Sequence, residues 1–142
     1  MNNRWSDVSV LLVDDDSIDR AAVIRAFRQS EIDNPIIEAT NGIEALQILR
    51  GDDTEKLSSP FLILLDLSMP RMDGFEFLAE LREDPELNTA LVFVLTTSRD
   101  VLDRVKAYKK NVAAYIVKAE FASEFWRVVA MIDNFWRIVE FP

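Results

Sequence analysis

Five short apolar runs punctuate this chain, near 8–13, 36–39, 61–65, 91–95 and 113–117, separated by intervals of 20 to 30 residues. That is the spacing of strands alternating with helices. Runs such as Phe61-Leu62-Ile63-Leu64-Leu65 and Leu91-Val92-Phe93-Val94-Leu95 show no polar alternation, as expected of strands buried on both faces of a parallel sheet. Between them, Gly74, Phe77, Leu78 and Leu81 fall at i, i+3, i+4 and i+7 on one helical face, and Val101, Val105 and Tyr108 make a similar stripe. The polar, turn-rich stretch 51–60 reads as a long surface loop before the third run. The pattern predicts an α/β fold, most economically a doubly wound three-layer sandwich.

The ends of the runs carry the chemistry. Val10-Leu11-Leu12-Val13 ends in Asp14-Asp15-Asp16, the third run in Asp66, the fourth in Thr96-Thr97-Ser98, and Ala114-Tyr115-Ile116-Val117 in Lys118. In an open parallel sheet, reactive groups gather beyond the carboxyl ends of the strands, so carboxylates, a hydroxyl and an ammonium share one rim. Taken singly each is ordinary. An Asp triplet usually makes a solvated turn or a helix cap, Asp16 and Ser17 being good cap types, and Thr96-Thr97-Ser98 suits the cap of a helix over 99–109. Together they form a site in which several carboxylates need a cation to offset their repulsion.

Composition narrows that cation and the chemistry. With no Cys and no His, the chain has no disulfide, no thiolate or imidazole metal site, no imidazole base and no Ser-His-Asp machinery. The metal is therefore a hard, oxygen-ligated ion such as Mg²⁺. Only Gly42, Gly51 and Gly74 are present, too few for a Gly-rich nucleotide loop. A net charge of −9 from 25 acidic and 16 basic residues sets electrostatics against nucleic-acid binding. The longest apolar runs fall far short of the roughly 18 residues that span a bilayer, and the start Met1-Asn2-Asn3-Arg4-Trp5-Ser6 has no signal-peptide character. The expectation is a cytoplasmic protein with one domain over 1–142 and no effector domain.

Through Val13-Asp14-Asp15, Leu65-Asp66-Leu67-Ser68-Met69-Pro70, Met72-Asp73-Gly74, Leu95-Thr96-Thr97-Ser98 and Tyr115-Ile116-Val117-Lys118, the chain resembles the receiver domain of two-component response regulators. The resemblance covers about 8–139. It implies a five-stranded parallel (βα)5 flavodoxin-like fold and a phosphorylation-controlled switch, not an enzyme, served by a sensor histidine kinase. It further implies Asp66 as phosphoacceptor, Asp15 as direct Mg²⁺ ligand, Asp14 as a ligand acting mainly through water, and the Ser68 backbone carbonyl as another ligand. Thr96 is implied as the switch hydroxyl, Tyr115 as the aromatic rotamer linked to it, and Lys118 as the phosphate-contacting lysine. The Thr96-Thr97-Ser98 run, the loop before Pro60, the missing proline after Lys118 and the closing Phe135-Trp136…Phe141-Pro142 look most like the small stand-alone regulators of bacterial phytochrome kinases.

Two departures from the family pattern stand out. Ala119 follows Lys118 where the family usually has proline with a cis peptide; a cis non-proline bond costs about 2.5–4 kcal/mol, so a trans bond and an altered loop are expected. Thr97 is β-branched where the family often has Ala or Gly, which would narrow access to the acceptor. A rival reading is a Mg²⁺-dependent phosphohydrolase with an aspartyl nucleophile, but the general acid such enzymes place two residues on would be Ser68. A vestigial interaction module is the other rival, against which stands the complete set of acceptor, metal and switch positions. The last helix, roughly 122–139, has more apolar positions than one narrow stripe holds, which suggests a homodimer face. The alternative is that Trp126 and Trp136 simply cover the sheet.

Overall fold

The computed structural model describes residues 7–51, 57, 59–118 and 123–142. Ala119 and most of the 51–60 stretch lie outside them. The order is β1 (Ser9–Val13), α1 (Ser17–Gln29), β2 (Ile36–Ala39), α2 (Gly42–Arg50), β3 (Phe61–Leu65), α3 (Gly74–Glu83), β4 (Leu91–Thr96), α4 (Val101–Lys109), β5 (Ala114–Val117) and α5 (Trp126–Ile138). All strand pairs are parallel, in the order β2-β1-β3-β4-β5. This is the doubly wound sandwich that the apolar runs predict, with each strand within one or two residues of its run.

Because side chains alternate across a strand, each central strand feeds two cores. Leu11 and Val13 of β1, Ile63 and Leu65 of β3 and Val92 and Val94 of β4 pack beneath α2 and α3, against Leu46, Phe77, Leu78 and Leu81. Val10, Leu12, Leu62, Leu64, Phe93 and Leu95 face α1 and α5, against Val23, Phe27, Val129, Ile132 and Trp136. Local sequence sets the helix starts. Asp16 accepts from the Ile18 and Asp19 amides to cap α1, Asn41 caps α2, and Asp73 with Glu76 forms a capping box on α3.

Two expectations change. The stripe Val101, Val105 and Tyr108 does not face the core: these side chains are exposed with Leu102, and Ala107 is the one buried residue of α4. Spacing shows which residues share a face, not where it points. Here α4 flanks the edge strand β5, which is only half-buried along its length, so less sheet is available to cover the helix. The last helix starts at Trp126 and its aromatics divide. Trp136 is buried on Phe27 at 6.0 Å between ring centroids, and Phe135 packs edge-on against Phe93 at 5.0 Å. Trp126, Met131 and Ile138 are exposed.

Candidate functional site

The strand order reverses between β1 and β3, and at such a switch point a crevice opens beyond the strand ends. Register fills it. Val13 is paired with Leu65, and the Asp66 amide donates to the Val13 carbonyl at 2.9 Å, so Asp14 and Asp66 emerge side by side. On the other flank Thr96 is paired with Val117, which puts Lys118 one residue beyond. The structure thus brings Asp14, Asp15, Asp66, Thr96 and Lys118 to one rim.

The three triplet aspartates do three jobs. Asp14 is buried and accepts from the Asp16 amide at 3.0 Å, Asp16 caps α1, and Asp15 stands exposed. Carboxylate oxygens of Asp14, Asp15 and Asp66 all lie within 4.8 Å of one another. An all-oxygen, acidic donor set of this kind fits a hard divalent cation. The Lys118 ammonium donates to Asp14 Oδ2 at 2.6 Å and to Asp19 Oδ2 at 2.9 Å. Burial disfavours its charge, yet the bonds to Asp14 and Asp19 and the attraction of both Asp14 and Asp66 outweigh this and hold its pKa above the usual lysine value.

Asp66 is buried, and its carboxyl is pushed up to about 6. Desolvation is the largest cause and the Asp14 charge adds to it, against Lys118, the Ser68 amide and the Thr96 hydroxyl, which favour the anion. The Ser68 amide donates to Asp66 Oδ1 at 3.4 Å. The loop behind the carboxylate depends on Gly74, where a Cβ would stand 2.6 Å from the Leu67 Cα and 2.8 Å from the Asp66 carbonyl oxygen. No side chain fits there without moving that backbone.

Thr96 is fully buried and its hydroxyl accepts from the Ser98 amide at 3.3 Å. Tyr115 is half-buried and donates to the Ser98 carbonyl at 3.0 Å, so Ser98 links the hydroxyl at the site to the aromatic on the edge strand. Ser98 also donates to Asp103 at 2.7 Å; the cap of α4 is Asp100 rather than the Thr-Thr-Ser run. Thr97 is exposed. Sequence reasoning missed Asp19 and Arg20, the latter donating to the Asp14 carbonyl at 2.7 Å and to Glu38 at 2.9 Å. An acid in the first turn reads locally as a partner of the helix dipole, and nothing nearby in sequence hints at Lys118.

Comparison with known proteins agrees with this geometry. The family model for the response regulator receiver domain matches residues 10–130, and the chain belongs to that family, the phosphorylation-dependent switch module of two-component signalling. It is 35% identical over 128 residues to the response regulator Rcp1 of Synechocystis, covering 89% of this chain and 87% of Rcp1. The phosphorylated cyanobacterial phytochrome response regulator RcpA superposes with a TM-score of 0.82 at 32% identity, over 96% of this chain and 99% of that one. The Mn²⁺-bound form of Rcp1 gives 0.79 at 35%, over 94% and 98%. Receiver domains bind a divalent metal, and the acidic cluster here is of the matching kind. Among the described residues no helix is long and apolar enough to cross a membrane.

Proposed function

We propose that this chain is a stand-alone response regulator in which Asp66 accepts a phosphoryl group from a sensor histidine kinase, of phytochrome type by its relatives. What carries the reading is the buried Asp66 carboxylate standing among Asp14, Asp15, Thr96 and Lys118 at the β1/β3 switch point. With a pKa near 6, Asp66 is mostly ionised at neutral pH and free to attack. One of its oxygens bonds to phosphorus as the donor's P–N bond breaks and the imidazole leaves with a proton. Asp14, Asp15, Asp66 and the Ser68 carbonyl would hold Mg²⁺, which when bound offsets the charge of the carboxylates and of the phosphoryl group.

Lys118 then gives an ammonium to one phosphoryl oxygen and Thr96 a hydroxyl to another. Drawing Thr96 toward phosphate disturbs its bond with Ser98, to which Tyr115 is tied. That is the mechanical link from site to surface. For a second copy of the chain, the exposed Met131 and Ile138, two turns apart on α5, supply the face that Trp136 does not. Loss of a dimer by light scattering in Ile138→Asp, with the fold retained, tests that arrangement.

The acceptor is tested by incubation with acetyl phosphate and Mg²⁺ followed by intact mass. One added phosphoryl group on wild type and none on Asp66→Ala is expected. Undiminished labelling of the variant overturns the assignment.

A further inference from the structure

The lysine at this site is already engaged before any phosphoryl group arrives. Its ammonium has three N–H donors, and two are taken, by Asp14 at 2.6 Å and by Asp19 at 2.9 Å. Asp14 belongs to the acidic cluster itself. Asp19 does not: it sits in the first turn of α1, with no place in the carboxylate cluster, and its side chain is 41% exposed against 16% for Lys118. We infer that Asp19 is a positioning residue, a counter-ion that draws the Lys118 ammonium toward α1 and competes with the phosphoryl oxygens for it.

The inference rests on Asp66 being the acceptor and deepens that reading. A phosphoryl oxygen can meet the remaining N–H of Lys118, but drawing the ammonium toward phosphorus weakens its bond to the Asp19 carboxylate, so Asp19 tunes how strongly the phosphorylated form is held. It also links that event to α1, because releasing Asp19 frees a charge in the helix's first turn. Since Asp19 is partly exposed, the competition is modest. Ion pairs at such positions are worth about 0.2–1 kcal/mol, which at about 1.4 kcal/mol per tenfold is at most about fivefold in affinity.

The experiment uses beryllofluoride, which completes an acyl-phosphate mimic on an aspartate, titrated by calorimetry in saturating Mg²⁺ against wild type, Asp19→Asn, Asp19→Glu, Lys118→Ala and the double variant Asp19→Asn/Lys118→Ala. Asp19→Asn is expected to bind about threefold more tightly than wild type, Asp19→Glu to return toward wild type, and Asp19→Asn to change nothing once Lys118 is Ala. A merely structural role lowers the melting temperature without this pattern. Equal or weaker binding by Asp19→Asn overturns the inference. So does a gain that persists in the Lys118→Ala background, which would trace it to overall charge. Should wild type neither bind beryllofluoride nor take a phosphoryl group from acetyl phosphate, the reading of Asp66 itself fails; a labelled wild type with an inert Asp19→Asn sinks only the role of Asp19.

Discussion

Replacing Asp66 by Asn should stabilise this protein, because Asp66 is a carboxylate held where burial disfavours its charge. Its folded-state pKa of about 6 lies above the ordinary 3.8. The favourable contribution of the protonated form is therefore complete below about pH 3.8 and is lost as pH rises through about 6. At about 1.4 kcal/mol per tenfold in proton affinity, the ionised group costs on the order of 3 kcal/mol at pH 7. The neutral amide of nearly the same shape escapes that cost. In EDTA, urea denaturation at pH 7 should show Asp66→Asn more stable than wild type by up to about 3 kcal/mol, a rise of about 6–12 °C in melting temperature at this chain length. Near pH 3.5 the two should converge. Saturating divalent cation should restore most of the difference to wild type, since a ligand at 100 times its Kd adds about 2.7 kcal/mol, and should help the variant less. A variant no more stable than wild type at pH 7, or one whose advantage is the same at pH 3.5, would refute the reasoning.

Gly74→Ala should cost about 1–3 kcal/mol, typical of forced overpacking, and slow labelling of Asp66 by acetyl phosphate, since the new methyl meets the backbone of Asp66 and Leu67; unchanged labelling would contradict this. Arg82 donates to the carbonyls of Lys110, Asn88, Ala90 and Asn111, tying the end of α3 to the turn after α4. Arg82→Ala is expected to lose about 2–4 kcal/mol in chemical denaturation, and Arg82→Lys to recover less than half, because an ammonium cannot fan across four carbonyls. Trp136→Ala should cost about 3–5 kcal/mol as a core truncation, whereas the exposed Trp126→Ala should stay within about 0.5 kcal/mol; similar values for both would mean that α5 is docked differently.

How much was legible in the sequence differs by level. The central strands were plain because they are apolar on both faces, and their closing residues named the rim: Asp14, Asp15, Asp66, Thr96 and Lys118 meet there as the run ends suggested. The direction of an amphipathic face was not legible. Val101, Val105 and Tyr108 share a side of α4 that turns outward, a fact decided by the edge position of β5. Nor was the partner of Lys118. Its link to Asp19 joins the end of β5 to the first turn of α1, and only the register of the assembled sheet brings those elements together.

The pair between Lys118 and Asp14 spans 104 positions of the chain. So distant a contact carries a large loop-closure entropy, which falls once the sheet between its ends is in place. A nascent chain still lacking β5 can present Asp66 but not the ammonium that faces it. Under the proposed function, competence to hold a phosphoryl group would then report a finished sheet: β5, far along the sequence from β1, brings the charge that meets the carboxylates beyond β1, and molecules without it would stay silent.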